Sequence, residues 1–396
     1  MTHAEELIDE AWSLHVEVDD TLPLWSGELD QIERWFTSSS EATSDVRARC
    51  DEVRARLEAA IEDAPARTCA SLLTAAAMMR ADAWGAAAPS AELTWPHADE
   101  GFLGLMHWAT NSLSLTTAEH GDRYHEKMRR LPGAVDELCA RLEEAAEGDR
   151  APIRRHVERA IASLDELLGA PVADDPFLAQ PAPTEVGEAS TRRFSDGVAA
   201  LVESHTRPAL ARLRETLADS SLPAARDDDR PGLLHRPDGE AEYAEALAAH
   251  TRPGLDAGAI HAIGLEQLAR LDGEWARYGQ QQFGVSDPSE VRRCTASLPG
   301  RTSADEVKRD AEAIFTASEA EAPKWFNRVP ESTCEIRTTV HGSLAFYSPP
   351  KPELGHPART YFNVQDPTAW GPQLAATTVH EGIPGHHYQA ALALED

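Results

Sequence analysis

The sequence has little of what marks membrane proteins or nucleic-acid-binding proteins. Its 396 residues contain no run of about 18 apolar residues, so we expect no transmembrane helix. Lysine occurs only four times, and the formal net charge of −30 weighs against nucleic acid or an anionic membrane as a partner. The N-terminus lacks the basic and apolar regions of a signal peptide, so we expect a cytoplasmic protein.

Cysteine is scarce as well, and its spacing excludes two common kinds of site. The five cysteines are widely and irregularly separated, and no CxxC pair occurs. Neither a cysteine-ligated zinc site nor a disulfide framework is therefore indicated, and we expect reduced thiols. Aromatic residues make up 6% and hydrophobic residues 42% of the chain, a composition typical of a globular protein.

Helical periodicity dominates the first 320 residues. Apolar positions recur at helical rather than strand spacing in several segments. These segments are 44–64, 66–88, 119–147, 191–219 with an interruption at Pro208, 259–279 and 302–320. Segment 259–279 has the clearest apolar stripe, and segment 302–320 begins with a plausible capping sequence. A mainly α fold with a large multi-helix body follows from this pattern.

After residue 330 the apolar residues recur at every second position, the spacing typical of β-strands. Residues 334–342 alternate between apolar and polar side chains, and two short aromatic segments follow at 344–350 and 358–366. Helix-favouring residues resume at Ala375. We therefore predict a small β-sheet directly before a helix that carries histidines. The expected organisation is a helical region at 1–170, a Pro/Ala-rich connection at 171–190, and a helical region with the small sheet at 191–396.

The stretch TTVHEGIPGHHYQ, residues 377–389, carries the strongest chemical signal. Metallopeptidases place two histidines four residues apart on one helix, with a glutamate after the first as general base. His380 and Glu381 begin this pattern, but Pro384 stands where the second histidine should be. On a regular helix His380 and His387 would lie about 10 Å apart along the axis, too far to share one ion.

The residues between the histidines suggest how a shared ion becomes possible. Pro384 and its neighbouring glycines disfavour a regular helix, and a bulge of two residues would bring His386 into the place of the missing histidine. His386 is then the expected second ligand, with His387 as the alternative. The competing interpretation is a Pro-Gly turn between two helices with solvated histidines.

The motif resembles the hallmark HEGxPGHHxQ of the bacterial domain of unknown function 885 family. The matching residues are His380, Glu381, Gly382, Pro384, Gly385, His386, His387 and Gln389. Upstream segments at 259–265, 345–350 and 361–363 are also similar to that family. The resemblance implies a zincin/gluzincin-like, mostly helical fold and zinc-dependent hydrolysis of a peptide or small amide substrate. It implies Zn²⁺ bound by His380 and His386, and Glu381 as the catalytic base.

The sequence defines the substrate-binding residues and the third metal ligand less well. Tyr347, Tyr361 and Asn363 are the candidate substrate-binding residues, because a short strand beside a metal helix commonly binds an extended peptide. The family's third ligand, a glutamate in a downstream EGWA-like helix, has no counterpart here, and Glu353, His341 and His356 are alternatives that nothing in the sequence separates.

The last residues favour helix without a stop signal, so we expect the chain to be cut inside a helix and the catalytic region to be incomplete. Two ligands would hold zinc less firmly than three. The alternative function is that of a truncated or degenerate, non-catalytic helical protein that binds a partner.

Overall fold

The computed structural model describes residues 2–18, 32–35, 39–62, 64–87, 106, 110, 113–251, 254–340, 343–350 and 357–395. The chain divides into two compact units, Met1–Ala257 and Gly258–Asp396. The predicted fold class is confirmed at the level of a mainly helical chain with a small three-stranded sheet. None of the described helices combines the length and the apolar character needed to cross a membrane.

Helices build the described part of the first unit. They are α1 (His3–Val18), α2 (Ser40–Ile61), α3 (Ala66–Ala87), α4 (Ala118–Glu147), α5 (Arg154–Gly169), α6 (Glu188–Leu201), α7 (Arg207–Thr216), the short α8 (Leu222–Ala224) and α9 (Gly239–His250). One core lies among α1, α2 and α3 and includes Leu57 and Met79. A second core, around Tyr124 and Leu131 of α4, includes residues of α5, α6 and α7.

The interruption that the sequence predicted at Pro208 is a π-helical turn within a continuous helical segment. Helices α6 and α7 are joined by a π-helical turn, Val202–Thr206, in which Arg207 N–H donates to the carbonyl of Val202. A second such turn, Leu217–Ser221, joins α7 to α8 just before Pro223. The wider turn leaves room for a proline ring that would clash with the carbonyl four residues back in an α-helix.

The segment predicted as a connection, 171–190, is packed into the first unit. It contains short 3₁₀ turns at Val172–Asp174 and Pro176–Leu178, and Phe177 is fully buried in the second core. The buried carboxylate of Asp175 accepts a hydrogen bond from Arg207 at 2.9 Å. Burial of Phe177 and this ion pair therefore hold the segment against the helices of the first unit.

The second unit contains the remaining helices and the sheet. Its elements are α10 (Ala257–Gln282), α11 (Pro288–Ala296), α12 (Ala304–Glu321), β1 (Cys334–Thr339), β2 (Ala345–Ser348), β3 (Ala358–Asn363), α13 (Gln373–Glu381) and α14 (His386–Glu395). Strand β3 lies in the middle of the sheet, parallel to β1 and antiparallel to β2. Ser303 caps α12, as the sequence indicated, by accepting a hydrogen bond from Glu306 N–H.

The core of the second unit lies where α12, the sheet and α13 meet. Its buried residues are Val307, Ala311, Phe315, Ile336, Phe362, Trp370 and Leu374. Alternate residues of β3 are buried, so one face of the sheet packs on the helices and the other meets solvent. Helix α10 contributes little to this core, because Ile263, Leu268 and Leu271 of its apolar stripe are exposed.

Candidate metal centre

Helix α13 delivers His380 and Glu381 at its C-terminal end. Leu374 and Thr378 are buried on the core side of this helix, and the Thr378 hydroxyl donates to the Leu374 carbonyl at 2.7 Å. Glu381 is the last helical residue and is buried, whereas His380 is exposed. The helix ends there because Gly382 leaves the helical conformation and Pro384, after a cis peptide bond, offers no N–H to continue the ladder.

The chain between the two histidines forms a four-residue turn, residues 382–385, between α13 and α14, rather than the two-residue bulge within one helix that the sequence predicted. Tyr388 N–H donates at 3.2 Å to the carbonyl of Gly382, six residues back rather than the helical four. The two additional residues bring His386 beside His380, with ring centroids 4.7 Å apart and nearly perpendicular planes.

Gly382 and Gly385 lie in the break between α13 and α14, residues 382–385, and both are too close to their neighbours to carry a side chain. A Cβ atom on Gly385 would overlap the backbone carbonyl of His380. A Cβ atom on Gly382 would lie 2.6 Å from the ring of Phe315, which belongs to the core. The close approach of α14 to the end of α13 therefore depends on glycine at these two positions.

Three side chains converge at the break as a possible metal site. His380, Glu381 and His386 each offer one donor atom, and these atoms all lie within 4.8 Å of one another. Bonds of about 2 Å to a common ion need the donors somewhat closer. His380 and His386 are both exposed, so their rings have room to rotate toward a shared ion. The two imidazoles are ligands that fit zinc, and the carboxylate beside them is placed where a general base is needed.

Glu381 has the electrostatic character expected of a group that faces a cation. It is only 6% exposed, and its Oε2 atom has no hydrogen-bond partner among the described residues. Burial raises the pKa of this carboxyl, while the neighbouring His386 and His380 act to lower it. An unpaired buried carboxylate oxygen is unfavourable, and a bound cation would offset that cost.

His387 lies outside this cluster and points into the protein. It is fully buried; its Nε2 is 3.0 Å from the Ser332 carbonyl and its Nδ1 is 3.2 Å from the Tyr347 hydroxyl. Because a carbonyl only accepts, Nε2 carries the proton, and Nδ1 of the neutral ring accepts from Tyr347. Burial lowers the pKa of His387, which favours this neutral form. Both nitrogens of the alternative ligand are thus engaged by protein groups.

The sheet separates the three candidate substrate-binding residues. Tyr347 pairs with Thr360 on the buried face, whereas Tyr361 pairs with Phe346 on the opposite face and stacks on its ring at 4.7 Å. Directly paired residues of an antiparallel sheet share a face. Asn363 lies on the same face as Tyr361, and its Oδ1 accepts from Gln365 N–H at 3.0 Å. Of the three, Tyr347 contacts His386 and His387.

Residues that the motif does not reveal also support the site. Ser332 binds His387 through its carbonyl, and the Glu395 carboxylate accepts hydrogen bonds from the backbone N–H groups of Glu331 and Ser332. Burial acts to raise the pKa of Glu395, but these hydrogen bonds prevail and lower it. The third-ligand alternatives, Glu353, His341 and His356, lie outside the described residues.

A family match covers nearly the whole chain. Residues 24–396 match the family described as "Bacterial protein of unknown function (DUF885)". The chain belongs to this family. Its DUF885 membership agrees with the histidine motif that closes the sequence. No curated protein matches the chain.

Two solved structures share the fold of this DUF885 protein. One is the crystal structure of "the putative lipoprotein from Colwellia psychrerythraea", with a TM-score of 0.82 and 18% sequence identity, covering 99% of this chain and 73% of that one. The other is "a putative lipoprotein of unknown function from Shewanella oneidensis", with a TM-score of 0.59 and 16% identity, covering 99% and 72%. At these identities the likeness concerns the fold alone.

Proposed function

We propose that this DUF885 protein is a zinc-dependent hydrolase of peptide or related amide bonds. His380 and His386 would be two of the metal ligands, and Glu381 the general base. The observation that supports this most strongly is the convergence of their donor atoms within 4.8 Å around a buried carboxylate oxygen without a partner. A gluzincin-like arrangement, with a small sheet before the histidine helices, belongs to the same proposal.

A bound zinc ion supplies Lewis acidity toward an amide carbonyl and acidifies a water molecule. The protein's own part falls to three side chains. His380 and His386 would hold the ion through one ring nitrogen each. Glu381 would take the proton of the attacking water and pass it to the leaving amine.

Metal content tests the first half of the proposal. We expect the purified protein to bind one equivalent of zinc, measured by mass spectrometry of metals and by titration calorimetry. His380→Ala and His386→Ala should each lose this binding. His261→Ala is the matched control, because His261 is an exposed histidine of α10 in the same unit and should not affect binding. Absence of stoichiometric zinc, or its retention in both ligand variants, would overturn the metal site.

Hydrolysis tests the second half. Glu381→Gln should retain zinc but hydrolyse a mixed peptide library at least about a hundredfold more slowly, the usual contribution of a general base. An unchanged rate would remove Glu381 from that role. Zinc binding without hydrolysis of any peptide or amide would instead support the non-catalytic alternative. The cytoplasmic location stays a prediction, and fractionation of cells that express the protein tests it.

A further inference from the structure

We propose that His387 and Tyr347 are positioning residues that turn the His386 imidazole toward His380. The proposal rests on the metal site proposed above. It gives the second histidine of the GHH sequence a role other than metal binding. It also changes the role of Tyr347, which the sequence suggested as a substrate-binding residue.

The contacts of His387 fix the rotation of α14 about its axis. The buried imidazole bridges two strand-side groups, the Ser332 carbonyl at 3.0 Å and the Tyr347 hydroxyl at 3.2 Å. Consecutive residues of an α-helix point about 100° apart. When His387 faces the sheet, the preceding His386 is directed to the side of the helix where His380 lies, 4.7 Å away between ring centroids.

Ser332, whose carbonyl accepts the hydrogen bond from His387, is itself bound by the C-terminal end of α14. The Glu395 carboxylate accepts hydrogen bonds from the backbone N–H of Glu331 at 3.0 Å and of Ser332 at 2.8 Å. It also accepts from the Ser332 hydroxyl at 2.8 Å. Helix α14 is thus attached to the segment before β1 at its first turn and at its last, which resists rotation of the helix.

Tyr347 contacts both histidines from the buried face of the sheet. Its ring centroid lies 6.3 Å from that of His386, with planes only 22° apart, and 5.9 Å from that of His387. Its hydroxyl is used by His387. One tyrosine therefore supports the ligand ring directly and, through His387, the helix that carries it.

The test compares two substitutions at one position. In His387→Gln the side-chain amide can still donate to Ser332 and accept from Tyr347, whereas His387→Ala loses both contacts. We expect His387→Ala to weaken zinc binding on the order of tenfold or more, as loss of groups that orient metal ligands does, and to change the visible spectrum of the cobalt-substituted protein. His387→Gln should restore most of the affinity.

Tyr388→Phe is the matched control. Tyr388 follows His387 on α14, and its hydroxyl donates to the Arg328 carbonyl at 3.1 Å, so this variant also removes a hydrogen bond between α14 and the segment before β1. It should leave zinc affinity and the cobalt spectrum unchanged. An equal loss in Tyr388→Phe and His387→Ala would show that general stability, rather than orientation, is responsible.

A metal-free measurement separates failure of this inference from failure of the proposed function. Imidazole nitrogen NMR of the zinc-free protein should show His386 resonances that shift in His387→Ala but not in His387→Gln. If the wild type binds no zinc, the proposed function fails, and these spectra still decide whether His387 orients His386. Unshifted His386 resonances in His387→Ala would overturn the inference. If His387→Ala does not fold, Tyr347→Phe, which keeps the ring and loses the hydroxyl, takes its place.

Discussion

Pro208 and Pro384 lie at two places where the sequence predicts an interrupted helix, and the backbone responds differently at each. Before Pro208 the helix widens into the π-helical turn Val202–Thr206 and continues into α7. At Pro384 α13 has already ended, and α14 begins two residues later. The turn before Pro208 has no glycine, whereas glycines flank the break at positions 382 and 385.

The difference shows that proline alone does not determine the outcome. A missing N–H and a bulky ring can be accommodated by one wider turn within a continuous helix. Two glycines in contact with the backbone of His380 and the ring of Phe315 allow α14 to start in a new position. In both regions a buried side-chain oxygen lacks a partner among the described residues, Thr206 Oγ1 at the turn and Glu381 Oε2 at the break.

The largest effect is expected from Gly385→Ala, in the turn between α13 and α14. The new methyl group would overlap the His380 carbonyl, so the start of α14 must move. We expect the free energy of unfolding to fall by at least about 4 kcal/mol, measured by urea denaturation. Gly273→Ala is the control, because its Cβ meets nothing within 4 Å and should stabilise α10 by about 0.5–1 kcal/mol. Similar stability of the two variants would contradict the packing at the break.

Asp175→Ala tests what supports the π-helical turn. Arg207, the first residue after that turn, would lose its buried carboxylate partner, and we expect about 3 kcal/mol of destabilisation by urea denaturation. Asp165→Ala provides the comparison, because the Asp165–Arg214 pair joins α5 to α7 on the exposed surface and should contribute little. An Asp175→Ala variant as stable as the wild type would mean that the turn needs no such anchor.

Glu381→Gln should stabilise the metal-free protein at pH 7. Because burial raises the folded-state pKa above its ordinary value of 4.5, the protonated carboxyl stabilises the fold below that value, and this stability is lost as pH rises through the folded-state pKa. Glutamine removes the buried charge, and we expect a gain on the order of 1 kcal/mol. Urea denaturation with a chelator should give a larger gain at pH 7 than at pH 4. A gain that is equal at both pH values would argue against a buried, unpaired carboxylate.

The smallest change is expected from Thr206→Val at the π-helical turn. The lost hydroxyl has no partner among the described residues, so thermal unfolding should show a stability within about 0.5 kcal/mol of the wild type. In α13 the same substitution at Thr378 removes a buried hydrogen bond to Leu374 and should cost about 1 kcal/mol. Equal effects would mean that Thr206 has a partner, for example a buried water molecule.

Local patterns predicted much of the secondary structure. Segment 302–320 became α12 with its Ser303 cap, and segment 119–147 became α4, because apolar periodicity and capping are encoded within a few residues. The face on which Tyr361 and Asn363 lie could not be predicted, because it depends on which residue of β2 pairs with which residue of β3. The exposure of the apolar stripe of α10 could not be predicted either, since periodicity identifies an apolar face without identifying what covers it.

The sequence by itself determined the donor types, their order and the glycines that let the backbone bulge between them. Those properties are local, and the two additional residues between the histidines follow from spacing alone. Only the tertiary structure decided which histidine of the pair joins His380. His387 is turned inward by Ser332 and Tyr347, 55 and 40 residues before it in the chain. Contacts over such separations form only when the sheet and helices pack, and they leave His386 facing His380.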